Sequence, residues 1–147
     1  MALAKIHLSR ILLEILWGLG IPIPLRNAQT KGWFGEWLAK DYLVQKNFTI
    51  LARNWHSPFD ERREIDLVAM DGDCLVFIEV RARSESALNS GYFSLTHKKK
   101  KSLLNAFKDY LKKHDGQYPF YRFDVTEVDL DTSWGKVFHH QNVSLFP

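Results

Sequence analysis

Hydrophobic and polar residues repeat with two different periods along the chain, and these periods predict its secondary structure. Apolar residues recur at helical spacing from Gly35 to Lys46, and again from the Thr96 cap to Lys113. Strands are predicted at Phe48–Leu51, Glu64–Met70, Leu75–Arg81, Tyr121–Val128 and Val137–His140. This order of helices and strands predicts an α/β domain with a central mixed β-sheet flanked by helices.

The amino-terminal segment has a pattern of its own. In "KIHLSRILLEILWGLGIPIPL", the residues His7, Arg10 and Glu14 form a narrow polar stripe on an otherwise apolar helix. Glycines and prolines then end the apolar run, which is too short to span a bilayer and lacks a signal-peptide cleavage site. We expect residues 1–30 to be an amphipathic helix and linker that packs on the domain of residues 31–147 or on a second subunit. The alternative is a helix that lies on a membrane surface.

The composition is that of one globular domain. The chain has 147 residues and a net charge of +3, which is too small to argue for a nucleic-acid partner by itself. Its single cysteine, Cys74, lies in an apolar strand and provides neither a disulfide framework nor a thiolate metal site. This cysteine usage suits a reducing cytoplasm. No glycine-rich phosphate loop is present, and no small-molecule cofactor is expected.

One glutamate interrupts a strand that otherwise has the composition of a sheet core. In "REIDLVAMDGDCLVFIEVRAR", Glu79 shares a face of its strand with Arg81, and Glu64 and Asp66 share a face of the preceding strand. The turn at Asp71–Asp73 predicts a hairpin. A two-residue turn would place Glu64 opposite Glu79, and a four-residue turn would place Asp66 there. Either register gathers the acids on one face of the sheet.

Facing carboxylates destabilise a sheet unless a positive charge neutralises them. Arg81 is one such charge, and a divalent cation is another. Because Mg²⁺ and Mn²⁺ prefer hard oxygen ligands and retain water, the acids could hold either ion. The alternative is an ordinary salt bridge on a solvated face, from Arg81 to Glu64 or to Glu79. Spacing alone does not separate the two interpretations.

A run of lysines opens the second predicted helix, "THKKKKSLLNAFKDYLKK". Positive side chains in a first turn oppose the helix dipole, so local stability does not explain them. A nucleic-acid backbone at that end would offset the charge. The alternative is the solvated side of an amphipathic helix. The candidate nucleic-acid-binding residues are Lys98, Lys99, Lys100 and Lys101.

Five separated blocks carry a resemblance to a known family. They are "GWFGEWLAKDYL", "LARNW", "EIDLVAMDGDCLVFIEVRAR", "THKKKKSLLNAFKDYL" and "RFDVTEV". In order and spacing they resemble the YraN-like family of bacteria, uncharacterised protein family 0102, over Gly32 to Val128. That family is similar to restriction-endonuclease-like nucleases, including archaeal Holliday-junction resolvases. The resemblance implies a restriction-endonuclease-like fold and a site for DNA.

The resemblance also implies roles for individual residues. Asp66 and Glu79 would bind Mg²⁺ or Mn²⁺ together with the carbonyl of Val80. Glu36, at the start of the first helix, would bind the metal through water, and Glu64 would line the site. For Glu36 the alternative is an ion pair with a lysine four residues later, Lys40.

Two positions depart from the pattern of the family. Arg63 stands where the family has a glycine, and Arg81 stands where it has a lysine. An arginine keeps its positive charge but does not lose a proton at ordinary pH, so Arg81 cannot act as a base.

Three functions therefore remain open. The first is a cytoplasmic, metal-dependent endonuclease on branched or otherwise structured DNA, with Glu36, Glu64, Asp66, Glu79 and Arg81 at its site. The second is a nucleic-acid-binding module with little or no cleavage. The third is an interaction protein that uses the amino-terminal helix. A homodimer is left open, and a membrane is not expected as a partner.

Overall fold

The computed structural model describes residues 2–83, 95–131 and 135–146, with side chains from Arg10 onward. The serine-rich loop predicted around Gly91 lies outside these residues. The helices are α1 (Ala2–Gly18), α2 (Ala28–Gln45) and α3 (His97–Lys113). The strands are β1 (Thr49–His56), β2 (Glu64–Asp71), β3 (Cys74–Arg83), β4 (Tyr121–Asp129) and β5 (Lys136–His140). None of the described helices is long and apolar enough to cross a membrane.

The strands form one mixed sheet in the order β1-β2-β3-β4-β5. Only β3 and β4 are parallel among the described pairs, and the connection between them contains α3, as a parallel crossover requires. Helices α2 and α3 cover opposite faces of the sheet. The prediction of an α/β domain with a mixed sheet flanked by helices is confirmed, and this architecture is compatible with a restriction-endonuclease-like fold.

Strand β3 is buried on both faces because each face packs against a helix. On one face Phe77 stacks on Phe107 of α3, with ring centroids 4.4 Å apart. On the other face Ile78 packs in a core with Leu43 of α2. A strand covered on both sides has a nearly continuous apolar sequence, and this explains why the single acid in its centre stands out.

Two elements differ from the sequence prediction. Helix α2 begins at Ala28, seven residues before the predicted Gly35, because Asn27 and Thr30 form a capping box. Strand β1 continues to His56, although the sequence predicted a polar connection after Leu51. Its polar residues occur in a strand because their side chains bind α1 and α2, as described below.

The β2–β3 hairpin has a two-residue turn, as one of the two predictions assumed. Its strand register differs from the register predicted for a two-residue turn. Asp71 pairs with Cys74, so the turn lies one residue later than assumed. Continued along the strands, this register places Asp66, and not Glu64, opposite Glu79. The pairing ends at Leu67 and Ile78, one step before the two acids.

The strict alternation of faces predicted for β2 breaks near Asp66. Leu67 packs in the core under α2, as the alternation predicts, and Val68 packs in the core under α3. Ile65 packs with Val68 instead of Leu67. The regular alternation of side chains between the two faces of the sheet is therefore interrupted next to Asp66, the candidate metal ligand.

Candidate metal and nucleic-acid site

Glu79 lies at the centre of the site and is almost completely buried. The residue is 3% exposed, and its Oε1 lies 3.1 Å from Nζ of Lys99 and 3.7 Å from an Nη of Arg81. Its other oxygen, Oε2, is buried with no hydrogen-bond donor in the described part of the chain. Burying a carboxylate oxygen without a partner is costly, so this oxygen is available for a ligand.

The side chain of Asp66 binds the backbone of β3 just beyond the last paired residues of the β2–β3 hairpin. Its Oδ2 accepts a hydrogen bond of 2.8 Å from the backbone N–H of Val80. The residue is partly exposed, but its carboxyl group is desolvated, and burial together with the negative charge of Glu79 raises the pKa of Asp66 well above its usual value. A cation between Asp66 and Glu79 would remove this repulsion.

Helix α2 brings Glu36 to the same end of the sheet. The helix lies so close to β3 that a Cβ at Gly35 would be 2.6 Å from Cβ of Ala82. Oε2 of Glu36 accepts a hydrogen bond of 2.7 Å from Arg10 of α1. In the described part of the chain, Glu36 forms its ion pair with Arg10. The alternative pair of Glu36 with Lys40 is not among the described ion pairs.

Asn54 of β1 connects the acids on this side of the site. Its Nδ2 donates to Glu36 Oε2 over 2.9 Å and lies 3.4 Å from Glu64 Oε1, while its Oδ1 accepts from Arg10 over 2.8 Å. The residue has a φ of 46°, a left-handed conformation that asparagine tolerates. Glu64 also lies 3.8 Å from His56, so it occupies the rim of the cluster.

Helix α1 is fastened to the site by ion pairs and by aromatic packing. Glu14 binds Arg10 over 3.0 Å and accepts two hydrogen bonds from Arg53 of β1, of 2.5 and 3.0 Å. Trp17 is 3% exposed and packs edge-on against Phe34 of α2, with ring centroids 5.1 Å apart. Arg10 and Glu14 of the predicted polar stripe thus face β1 and α2, whereas the side chain of His7 lies outside the described part of the chain.

A second buried acid, Glu127 of β4, was missed by the sequence prediction. It is 4% exposed and is the parallel neighbour of Arg81, so it shares the face that carries Glu79. His140 of β5 lies 3.8 Å from its Oε2. The available signal was a glutamate inside the predicted strand "RFDVTEV", although other polar residues of that strand made it stand out less than Glu79.

The four lysines at the start of α3 differ in their surroundings. The Lys99 side chain is 38% exposed and reaches Glu79. Lys98 and Lys101 are exposed to solvent, and Lys100 is half-buried. The cluster therefore combines one lysine at the acids with others that are open to a polyanion.

The residues present fit a divalent cation as a small ligand set. Among the described residues, no three His, Cys, Asp or Glu side chains are close enough to share an ion. The candidate ligands are Asp66 and Glu79, which repel each other, and the carbonyl of Val80. Two carboxylates suffice for Mg²⁺ or Mn²⁺, because these ions keep several waters and bind substrate phosphate. The unpartnered oxygen of Glu79 is the observation that supports this fit.

The mixed sheet, its flanking helices and the acidic pair on two adjacent strands are compatible with a restriction-endonuclease-like architecture. A family model described as "Uncharacterised protein family UPF0102" matches residues 35–128. The chain belongs to this family, as the resemblance of its sequence blocks implied.

Bacterial relatives support the assignment. A UPF0102 protein of Legionella pneumophila (strain Corby) is 39% identical over 102 residues, which cover 69% of this chain and 84% of the relative. A UPF0102 protein of Dichelobacter nodosus is 42% identical over 98 residues, covering 67% of this chain and 75% of the relative. A UPF0102 protein of Herpetosiphon aurantiacus is 36% identical over 118 residues, covering 78% and 93%. The family match begins at Gly35, so Arg10 and Glu14 lie before it.

Proposed function

We propose that this protein binds structured DNA in the bacterial cytoplasm and cleaves it as a metal-dependent endonuclease. The observation that carries the proposal is the buried Glu79, whose Oε2 has no donor among the described residues and whose neighbours are an acid and two cations. Most buried polar atoms have a hydrogen-bond partner, so a buried carboxylate oxygen without a donor, next to a second acid, marks a candidate ligand site.

Asp66 and Glu79 would hold Mg²⁺ or Mn²⁺, with the carbonyl of Val80 as a further oxygen. When bound, such an ion supplies Lewis acidity toward a phosphate oxygen and toward the attacking water. The protein contributes fixed charges that need no reorganisation, which is the main requirement of phosphoryl transfer. Arg81 adds a permanent positive charge beside Glu79 and takes no part in proton transfer.

The exposed lysines at the start of α3 would bind the DNA backbone. Lys98 and Lys101 are open to solvent in the same helical turn as Lys99, which contacts Glu79 itself. Phosphate contacts of this kind position a duplex without reading its sequence. Such contacts agree with a substrate recognised by its shape and not by its bases.

The test of the metal site is a calorimetric titration with Mn²⁺. We expect binding to the wild-type protein and none to Asp66→Ala or Glu79→Ala, because each substitution removes one of two carboxylate ligands. Asp73→Ala is the matched control, since it removes an exposed acid from the hairpin turn. Equal titrations of the wild type and both site variants would reject the metal site.

A second candidate is a nucleic-acid-binding module that cleaves weakly or not at all. Two observations favour it: Arg81 stands at the lysine position of the family, and Glu36 is already paired with Arg10. Metal and DNA binding without detectable cleavage would select this second function.

A further inference from the structure

We propose that Lys99 supplies the positive charge that contacts the scissile phosphate, and that Arg81 serves mainly to neutralise buried acids. This inference rests on the proposed nuclease function and assigns the contact to a helix residue outside the acidic strands. Its observational basis is the position of two cations around one buried carboxylate, Glu79.

Distance and exposure distinguish the two cations. Nζ of Lys99 is 3.1 Å from Glu79 Oε1, whereas Nη1 of Arg81 is 3.7 Å from the same oxygen. The side chain of Lys99 is 38% exposed and that of Arg81 is 24% exposed. Lys99 thus joins the buried carboxylate to the solvent side, which is the direction from which a phosphate must arrive.

The position of Lys99 is fixed by the fold. Thr96 caps α3 and its hydroxyl accepts a hydrogen bond of 3.2 Å from the Lys99 N–H. The same helix is held against β3 by the stack of Phe107 on Phe77. A lysine in the first turn opposes the helix dipole, and the carboxylate of Glu79 offsets that cost. A charge held in place before the substrate arrives is worth more in catalysis than one that must be ordered.

Arg81 has different neighbours. It lies beside Glu79 on its own strand, and its parallel neighbour on β4 is the buried Glu127. Arg81 and Glu127 are paired across β3 and β4, so Arg81 and both buried glutamates lie on the same face of the sheet. Charge neutralisation explains an arginine here, since it stays protonated and offers several donors.

The reaction served is hydrolysis of a phosphodiester. The oxygen of water bonds to phosphorus while one phosphorus–oxygen ester bond breaks and leaves its electron pair on the departing oxygen. One proton of the water ends on that oxygen as a hydroxyl group, and the other passes to solvent. Lys99 forms no covalent bond and contributes only its charge to the pentacoordinate transition state.

The test compares Lys99→Met with Lys108→Met, which removes the same charge from an exposed position of the same helix. Single-turnover cleavage is measured with Mn²⁺ at saturating DNA, and DNA affinity is measured separately in chelator. We expect Lys99→Met to slow cleavage about a hundred-fold, the scale of one lost charge-stabilising donor, and Lys108→Met to cleave normally. The change in DNA affinity should be similar for the two variants.

Two further readouts separate a contact with phosphate from a structural role. Adding Arg81→Lys to Lys99→Met should restore cleavage by at least about tenfold, because an ammonium returns to the same face. Calorimetry should show tighter Mn²⁺ binding to Lys99→Met, by about tenfold, because a cation next to Glu79 is gone. Lys99→Gln replaces Lys99→Met if the methionine variant does not fold.

Each outcome has a definite meaning. Normal cleavage by Lys99→Met would overturn this inference and leave the nuclease function intact. Lost cleavage with a collapsed melting temperature and no rescue would assign Lys99 a structural role and also overturn it. If the wild type binds DNA but neither it nor any variant cleaves, the nuclease function fails and this inference fails with it.

Discussion

Arg10 should be a major contributor to stability, although it lies before the family match. Its guanidinium donates to Glu36 over 2.7 Å, to Asn54 over 2.8 Å and to Glu14 over 3.0 Å. The side chains of Arg10 and Glu36 are only 15% and 17% exposed, so water replaces these contacts poorly. Arg10→Met keeps the alkyl chain but leaves Glu36 without its cation, beside other acids.

The expected loss follows from these contacts. A hydrogen bond between charged groups contributes about 1.5–3 kcal/mol, and breaking a buried pair costs about 3–5 kcal/mol. Glu14 keeps Arg53 as a partner, and the site is partly solvated, so we expect a net loss of about 2–3 kcal/mol for Arg10→Met. For a domain of this size that loss lowers the melting temperature by on the order of 5–10 °C.

Thermal denaturation in chelator measures the effect. The matched control is Arg62→Met, because Arg62 forms an ion pair with Asp60 but is 90% exposed, and surface pairs of this kind contribute little to stability. A double-mutant cycle with Glu36→Gln should show coupling between positions 10 and 36. If Arg10→Met melts no lower than Arg62→Met, the contacts of Arg10 do not stabilise the packing of α1 on the domain.

Three further predictions concern the site and its support. The pKa of Asp66 is raised in the folded protein, so its ionisation lowers stability as the pH rises through that pKa. In chelator, Asp66→Asn should therefore raise the melting temperature at pH 8 and not at pH 4, and an equal effect at both pH values would contradict this prediction. Changing Lys98 and Lys101 to glutamine should reduce the salt-dependence slope of DNA binding by about two. An unchanged slope would show that these lysines only form the solvated side of the helix. Gly35→Ala should lower the free energy of unfolding by about 1–3 kcal/mol, because the new Cβ would lie 2.6 Å from Cβ of Ala82. Adding Ala82→Gly should restore that stability, and a double variant as unstable as Gly35→Ala would contradict the close contact.

Features set by local sequence were predicted well. The periodicity of α3, its Thr96 cap and the β2–β3 hairpin each depend on residues close together in the chain. The placement of Asp66 and Glu79 on adjacent strands followed from the same hairpin. The position of its turn had to be corrected by one residue, and the predicted alternation of faces in β2 failed near Asp66.

Features set by distant contacts were missed. Asn54 and Arg10 meet across forty-four positions of the chain, and no local pattern shows that β1 and α1 will be neighbours. The length of β1 was underestimated for the same reason, since its polar residues are satisfied by another element. Glu127 carried a usable signal, but its relation to Arg81 depends on the parallel pairing of β3 with β4.

The most direct test of the central claim is a cleavage assay with and without metal. Duplex, single-stranded and four-way-junction DNA are incubated with the wild type and with Glu79→Ala, in Mn²⁺ and in chelator. We expect the wild type to cleave structured DNA in Mn²⁺ only, and Glu79→Ala not to cleave. Cleavage that persists in chelator or in Glu79→Ala would contradict the proposed site, and a wild type that binds DNA but leaves every substrate intact in Mn²⁺ would contradict the nuclease function.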